Sequence, residues 1–139
     1  MTVQMILLPL FVQVALTFVV LLVTGGRRAG PLRDKTVGRE VALDDSGFPA
    51  PARQAANNFR NQFELPVLFY VVTILALVTR KADLIFVVLA WVFVLSRIVH
   101  AFVHLTSNEV RLRFPIFLVG FAALVIMWVI YALAILLNV

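Results

Sequence analysis

The chain has 139 residues, of which 63% are hydrophobic, and its mean hydropathy is +1.03. A soluble domain is nearer half apolar, so this composition points to a bilayer as the solvent. The absence of cysteine excludes disulfides and a thiol nucleophile. The net charge of +5 comes from residues that flank apolar runs, so loops beside membrane spans explain it and we expect no nucleic-acid partner.

Four apolar runs follow one another along the chain, at residues 3–23, 59–78, 84–105 and 114–137. Each is close to the ~20 residues that a membrane-spanning helix needs. Backbone polar groups in lipid must pair within their own segment, and the alternating pattern of a barrel is missing, so the runs predict helices. The first run lacks the features of a cleaved signal peptide, and we expect it to be retained. We therefore predict an all-α membrane protein in which residues 1–139 form a single four-helix domain.

The connections between the runs differ in length and charge. Residues 24–55 combine Gly, Pro and mixed charge and are predicted to form one long polar loop, whereas "TRKAD" and "TSNEVRLR" are short turns. The first and third connections hold eight Lys and Arg residues, and the second holds two. Because Lys and Arg are enriched in cytoplasmic loops, this difference places the first and third connections in the cytoplasm and both termini outside. We expect a multi-pass protein of a bacterial inner membrane.

Polar residues recur at helical spacing inside two neighbouring spans. The second span begins with a stripe made of Arg53, Asn57, Arg60 or Asn61, and Glu64. The third span ends on the same side of the membrane with Arg97, His100 and His104. Steps of three and four place each set on one helix face. Arg97 would lie ~12 Å below the helix end, where an ionisable group should face the bundle interior.

Two readings of these stripes stay open. In the structural reading, Arg60 and Arg53 reach the headgroups, and Glu64 pairs with Arg97 to fix the helix register. In the functional reading, the cluster binds a small ligand that carries carboxylates and an amine. We favour the ligand, because a register device needs one ion pair rather than six polar groups. The paired histidines could bind zinc, but the neighbouring arginines repel a cation, so no metal is expected.

Two motifs carry a resemblance to a known family. The segment "RNQFELPVLF" resembles the MAPEG family, membrane-associated proteins of eicosanoid and glutathione metabolism, and the chain reads as a prokaryotic member. Asn61, Glu64 and Phe69 match the family pattern, while Pro66 falls one residue early and predicts a kink. In "SRIVHAFVHL", Arg97 and His100 match the prostaglandin-E-synthase branch, and a histidine stands where that branch has tyrosine.

The resemblance implies a homotrimer that binds glutathione, as co-substrate, between neighbouring subunits. The implied glutathione-binding residues are Asn57, Arg60, Asn61, Glu64, Arg97, His100 and His104. The family's catalytic arginine begins the fourth span, where Arg113 and Arg111 are both candidates. An arginine from the first loop, Arg27 or Arg28, would contact a neighbouring subunit's site.

The function that the resemblance implies is a glutathione-dependent transferase or peroxidase acting on lipophilic electrophiles or lipid hydroperoxides. The alternative is a non-catalytic membrane binding or scaffold protein that keeps the fold. The family's glutathione-binding tyrosines are replaced here, since the only tyrosines, Tyr70 and Tyr131, lie outside both stripes. A small transporter is less favoured, because the first span carries Gln4 and Gln13 but no acidic residue.

Overall fold

The computed structural model describes all residues 1–139. It contains five α-helices, which are α1 Val3–Arg33, α2 Ala50–Asn61, α3 Leu65–Val78, α4 Leu84–Leu105 and α5 Val110–Leu136. Helices α2 and α3 together form one membrane-crossing unit, so four helical units are long and apolar enough to span a membrane. The predicted all-α fold with four membrane-spanning helices is confirmed.

The prediction that residues 24–55 form one loop is wrong at both ends. Helix α1 continues to Arg33, and α2 already begins at Ala50. The glycines of this segment suggested a break, but tertiary contacts override weak local propensity. Arg27, in the extension of α1, donates hydrogen bonds to the carbonyl oxygens of Leu105 at 2.8 Å and Pro51 at 3.1 Å. These bonds hold the extension of α1 against the start of α2 and the end of α4.

Residues 34–49 cross from α1 to α2 and are called the strap. The strap contains two short 3-10 turns, Arg39–Ala42 and Asp45–Gly47. Its Phe48 is buried, and its acidic turn lies beside the first turns of α2 and Asn108 of the α4–α5 turn. The end of the bundle that carries the strap and the α4–α5 turn is called the polar end.

The second membrane-crossing unit is broken rather than merely kinked. Helix α2 ends at Asn61 and α3 begins at Leu65, with Pro66 in the first turn of α3. Proline has no N–H to donate to the carbonyl four residues earlier, so a continuous helix is disfavoured. Between the two helices, the N–H groups of Phe63 and Glu64 donate to the carbonyls of Arg60 and Asn61 in the tighter 3-10 pattern.

Helices α4 and α5 make the most extensive contact in the bundle. Phe69 of α3 stacks on Phe93 of α4 with ring centroids 4.8 Å apart, and Met127 of α5 completes this fully buried core. Gly120 allows the close approach, because a Cβ at this position would collide with the hydroxyl of Ser96. Most outward-facing side chains are large and apolar, as expected beside lipid tails.

Three buried amides connect α1, α2 and α4 at the level of the break and are called the amide ladder. Gln13 Nε2 donates to Gln62 Oε1 at 2.9 Å, and Gln62 Nε2 donates to Asn58 Oδ1 at 3.1 Å. Asn58 Nδ2 then donates to the carbonyl of Ala101 at 3.0 Å. Polar side chains in lipid are stabilised by such bonds between helices. The ladder therefore fixes α1 and α4 against the end of α2.

Candidate functional site

Two adjoining cavities open between α2, α4 and α5 near the polar end, and together they are called the polar cleft. The outer cavity, about 440 Å³, is lined by Asn57, Asn61, His100, His104, Asn108, Val110, Arg113, Phe114 and Phe117. The inner cavity, about 260 Å³, is lined by Asn61, Glu64, Leu65, Leu68, Arg97, His100 and Phe117. Asn61, His100 and Phe117 line both cavities, so the two share a wall. Small-molecule sites are typically ~300–1,000 Å³, and the cleft falls in that range.

Arg97 is the most deeply buried charged residue of the cleft, with 3% of its surface exposed. Its Nη2 donates to the carbonyl of Asn61 at 3.4 Å, and that carbonyl also accepts the N–H of Glu64 in the break. Its Nε has no hydrogen-bond partner. Burying an unpaired donor on a charged group costs free energy, which a hydrogen-bond acceptor would recover.

Glu64 shares the inner cavity with Arg97 but forms no ion pair with it. The structural reading, in which Glu64 pairs with Arg97 to fix the register, therefore does not describe this structure. Glu64 is exposed and sits in the break between α2 and α3. Its carboxylate is free to accept a hydrogen bond from a positively charged or amide donor.

The two histidines lie one turn apart on α4, and each is 4% exposed. Their rings meet edge to face with centroids 5.9 Å apart. His104 Nδ1 lies 3.5 Å from the side-chain amide nitrogen of Asn61, while His100 Nδ1 has no partner. No third His, Cys, Asp or Glu joins them as a metal-binding group. Both histidines line the cleft, whose inner cavity is also lined by Arg97 and whose outer cavity is also lined by Arg113.

The structure separates the two candidate arginines at the start of α5. Arg113 lines the outer cavity, and its Nη1 donates to Asn108 Oδ1 at 2.5 Å. Arg111 is exposed and does not line the cleft. Only Arg113 is therefore placed to touch a molecule that occupies the cleft.

The remaining predicted arginines lie outside the cleft. Arg60 points toward the strap and donates to Asp45, although its Nη1 also donates to Asn57 Oδ1 at 2.8 Å. Arg28 donates to Asp45 at 3.0 Å, and Arg27 binds the carbonyls described above. The predicted stripe on the second span thus divides, with Asn57, Asn61 and Glu64 on the cleft and Arg60 on the strap.

Sequence reasoning missed Asn108, Phe114 and Phe117, which complete the cleft walls. Asn108 adopts a left-handed backbone conformation (φ 52°) two residues before α5, and asparagine tolerates this conformation well. The sequence signal for Asn108 was its position as a polar residue in the turn between two predicted spans. The two phenylalanines carried no signal, because they look like any other residues of an apolar span.

No tyrosine reaches the cleft. Tyr70 lines a separate apolar cavity of about 360 Å³ between α1 and the break, together with Phe59 and Phe63. Tyr131 lies at the other end of the bundle, with its hydroxyl 3.3 Å from that of Thr79. The hydrogen-bonding groups of the cleft are therefore guanidinium, imidazole, amide and carboxylate.

The fold and the cleft define a polytopic membrane protein with a cleft inside its helical bundle that is lined by two arginines and two histidines. The sequence profile of the MAPEG family matches residues 6–133 of the chain. The chain therefore belongs to the MAPEG family. No curated protein and no solved structure matches it.

Proposed function

We propose that the chain is a glutathione-dependent membrane transferase or peroxidase that acts on lipophilic electrophiles or lipid hydroperoxides. The observation that carries the proposal is the polar cleft, where Arg97, His100, His104 and Arg113 converge with one free carboxylate, Glu64. Glutathione carries two carboxylates, one ammonium and two amides, and these groups complement the cleft. Family membership supports the same class of ligand.

Arg113 is the proposed catalytic residue. A thiol is a poor nucleophile until it ionises, and a nearby cation favours the thiolate. A guanidinium group is suited to this role because it stays protonated and offers several donors in a fixed plane. Arg113 is half-buried at the cleft mouth, where its charge is only partly screened by water. The bound thiolate would then attack an electrophile that partitions from the lipid.

Binding of glutathione would be shared between the two walls of the cleft. Arg97 and the histidines on α4 supply donors for carboxylate and carbonyl oxygens. Asn61 and Glu64 on the opposite wall supply acceptors for the ammonium and amide groups. The unpartnered Arg97 Nε and His100 Nδ1 would gain partners from the ligand.

A homotrimer is part of this proposal. The cleft is open along one side, and large apolar residues of α5 such as Phe114 and Leu118 are exposed beside it. A neighbouring subunit would close that side and exclude water from the thiolate. Native mass spectrometry in mild detergent should show one dominant trimer, and a persistent monomer would contradict this part of the proposal.

The polar end is proposed to face the cytoplasm of a bacterial inner membrane, because most Lys and Arg residues lie there. Glutathione would then reach the cleft from the compartment in which thiols are kept reduced. A reporter fused to the C-terminus should behave as external. Cytoplasmic reporter activity would reverse the orientation.

The second candidate, a non-catalytic binding or scaffold protein, is favoured by one observation: no tyrosine hydroxyl reaches the cleft. Turnover separates the candidates. The detergent-purified protein should conjugate glutathione to a chlorodinitrobenzene or reduce a lipid hydroperoxide. Tight glutathione binding without either reaction would support the scaffold instead.

Calorimetric titration of glutathione into the purified protein tests the ligand directly. A matched titration uses ophthalmic acid, which replaces the thiol with a methyl group and keeps every charged group. Heat from both compounds is expected, since the charged groups supply most contacts. Absence of binding by either compound would overturn the proposal.

A further inference from the structure

Two arginines from different helices converge on one carboxylate of the strap, beside the polar cleft. Arg28 Nη2 on α1 donates to Asp45 Oδ1 at 3.0 Å, and Arg60 Nη2 on α2 donates to Asp45 Oδ2. Phe48, three residues further on, is buried with the Arg28 guanidinium 5.2 Å from its ring centroid. Asp45 and Phe48 therefore attach the strap to the helices at neighbouring points.

The charges in this cluster do not balance. Two guanidinium groups meet a single carboxylate, and Arg28 Nε is buried without a hydrogen-bond partner. Guanidinium groups bind carboxylates through pairs of parallel N–H donors, so two arginines offer more donors than one aspartate can use. The two arginines therefore carry one positive charge more than Asp45 balances and donors that Asp45 does not use.

The cluster also lies within reach of the cleft. A cavity of about 390 Å³ beneath the strap is lined by Asp44, Asp45, Arg53, Asn57 and Asn108, among others. Asn57 and Asn108 line the outer cavity of the cleft as well. Arg60 lines neither cavity, but its Nη1 donates to Asn57 Oδ1 at 2.8 Å, so its guanidinium directly contacts a residue of the cleft wall.

We propose that Arg28 and Arg60 form a carboxylate-binding site that Asp45 occupies until a carboxylate of the ligand displaces it and releases the strap. The ligand is the glutathione of the proposed function, on which this inference rests. Asp45 acts as an internal competitor, so the free energy of its two ion pairs is subtracted from the free energy of ligand binding. The site thereby couples binding in the cleft to the position of the strap.

The exposure of the three side chains makes such an exchange feasible. The side chains of Arg60, Arg28 and Asp45 are 61%, 34% and 22% exposed. Ion pairs at such exposure are weak, because water competes for both partners. One carboxylate can therefore replace another at these arginines at little net cost. The neighbouring Asp44 differs, because its carboxylate binds only the backbone N–H and hydroxyl of Ser46.

Calorimetry with glutathione on the full-length protein provides the first test. Asp45→Asn keeps the shape but removes the competing charge, and it should tighten glutathione binding about fivefold. Asp44→Asn is the matched control, since Ser46 holds the pKa of the Asp44 carboxyl below its usual value and this variant also removes one negative charge. It should leave affinity unchanged. Equal effects of the two variants, or no gain in Asp45→Asn, would overturn the exchange.

A double-variant cycle identifies the arginine involved. In the Arg60→Gln background, Asp45→Asn should no longer tighten binding, because the site it would free has lost its second guanidinium. A fivefold gain that persists in this background would show that Asp45 acts through general charge, and the assignment to Arg60 would fail.

Limited trypsin digestion tests the strap without relying on affinity. Cleavage after Lys35 and Arg39 in the strap should be faster in Asp45→Asn than in the parent or in Asp44→Asn. Saturating glutathione should accelerate it in the parent. If no variant binds glutathione, the proposed function and the ligand exchange both fail. If glutathione binds but neither it nor Asp45→Asn changes cleavage, only the inference about the strap fails.

Discussion

The polar cleft and the amide ladder lie on opposite sides of the same helix break, and they differ in how fully their polar atoms are hydrogen-bonded. Asn61 faces the cleft, whereas its neighbour Gln62 faces the core and joins the ladder. The ladder is closed, with each of its three amides bonded to a defined protein partner and no more than 1% exposed. Its one unpartnered atom, Gln13 Oε1, lines none of the described cavities.

The cleft keeps unpartnered donor and acceptor atoms on charged or ionisable groups, and these groups face a cavity. Arg97 Nε and His100 Nδ1 are both buried and unbonded, although each lies on a residue that lines the inner cavity. Buried polar groups without partners destabilise a fold, so a protein tolerates them where a ligand supplies the partner. Bonded amides at this break therefore connect the helices, whereas the unpartnered atoms of Arg97 and His100 belong to residues of the proposed ligand site.

Arg97→Met should separate ligand binding from stability of the fold most strongly. The variant keeps an unbranched apolar stem and removes a buried charge that only one long hydrogen bond satisfies. Removing a charged donor from a buried site costs ~2–5 kcal/mol of binding, so glutathione affinity should fall about a hundredfold. The free energy of unfolding should hold or rise, because the unpaired group is gone. Calorimetry measures the affinity for glutathione, and thermal unfolding measures the stability. A variant that loses the fold but retains its affinity in the folded fraction would show that Arg97 is a structural residue.

Gln62→Leu should lower the stability of the fold, in contrast to Arg97→Met. It removes the central member of the ladder and leaves Gln13 and Asn58 without their partner, which should lower stability by about 2 kcal/mol. The matched control is Thr73→Val, which removes a buried hydroxyl that has no partner and should cost nothing. Thermal unfolding in detergent gives both values. Equal stability of Gln62→Leu and parent would show that the ladder does not hold the break.

Glu64→Gln should give a smaller effect that is confined to the cleft. Glu64 is exposed and forms no ion pair, so the neutral isostere should not disturb the fold. It loses the charge that would attract the ligand's ammonium group, and glutathione binding should weaken about tenfold, or ~1.4 kcal/mol. Calorimetry and native mass spectrometry are the measurements. Unchanged affinity together with loss of the assembled protein would make Glu64 a structural residue.

The sequence predicted well which side chains share one face of a continuous helix. Arg97, His100 and His104 share one face of one unbroken helix, so their steps of three and four were enough to bring them together. The second stripe was predicted as a continuous helix, and its spacing left Arg60 and Asn61 as equal candidates. The structure places Asn61 on the cleft and Arg60 on the strap.

What the sequence could not predict depends on contacts between distant residues. The helical extension of α1 relies on Arg27 reaching the carbonyl of Leu105, far along the chain. The position of Arg60 is set by Asp45, a residue of the segment predicted as a polar loop. Neither partner is identifiable from local spacing. The choice between Arg113 and Arg111 likewise needed the orientation of α5, which a uniformly apolar helix does not reveal.

The most direct test of the account measures the thiolate of bound glutathione by its ultraviolet absorbance at neutral pH, in Arg113→Ala and Arg111→Ala. The two variants remove the same charge two residues apart, and only Arg113 lines the cleft. We predict that Arg113→Ala still binds glutathione but loses the thiolate absorbance, while Arg111→Ala matches the parent. Full absorbance in Arg113→Ala, or equal losses in both variants, would contradict the claim that the cleft binds glutathione and that Arg113 stabilises its thiolate.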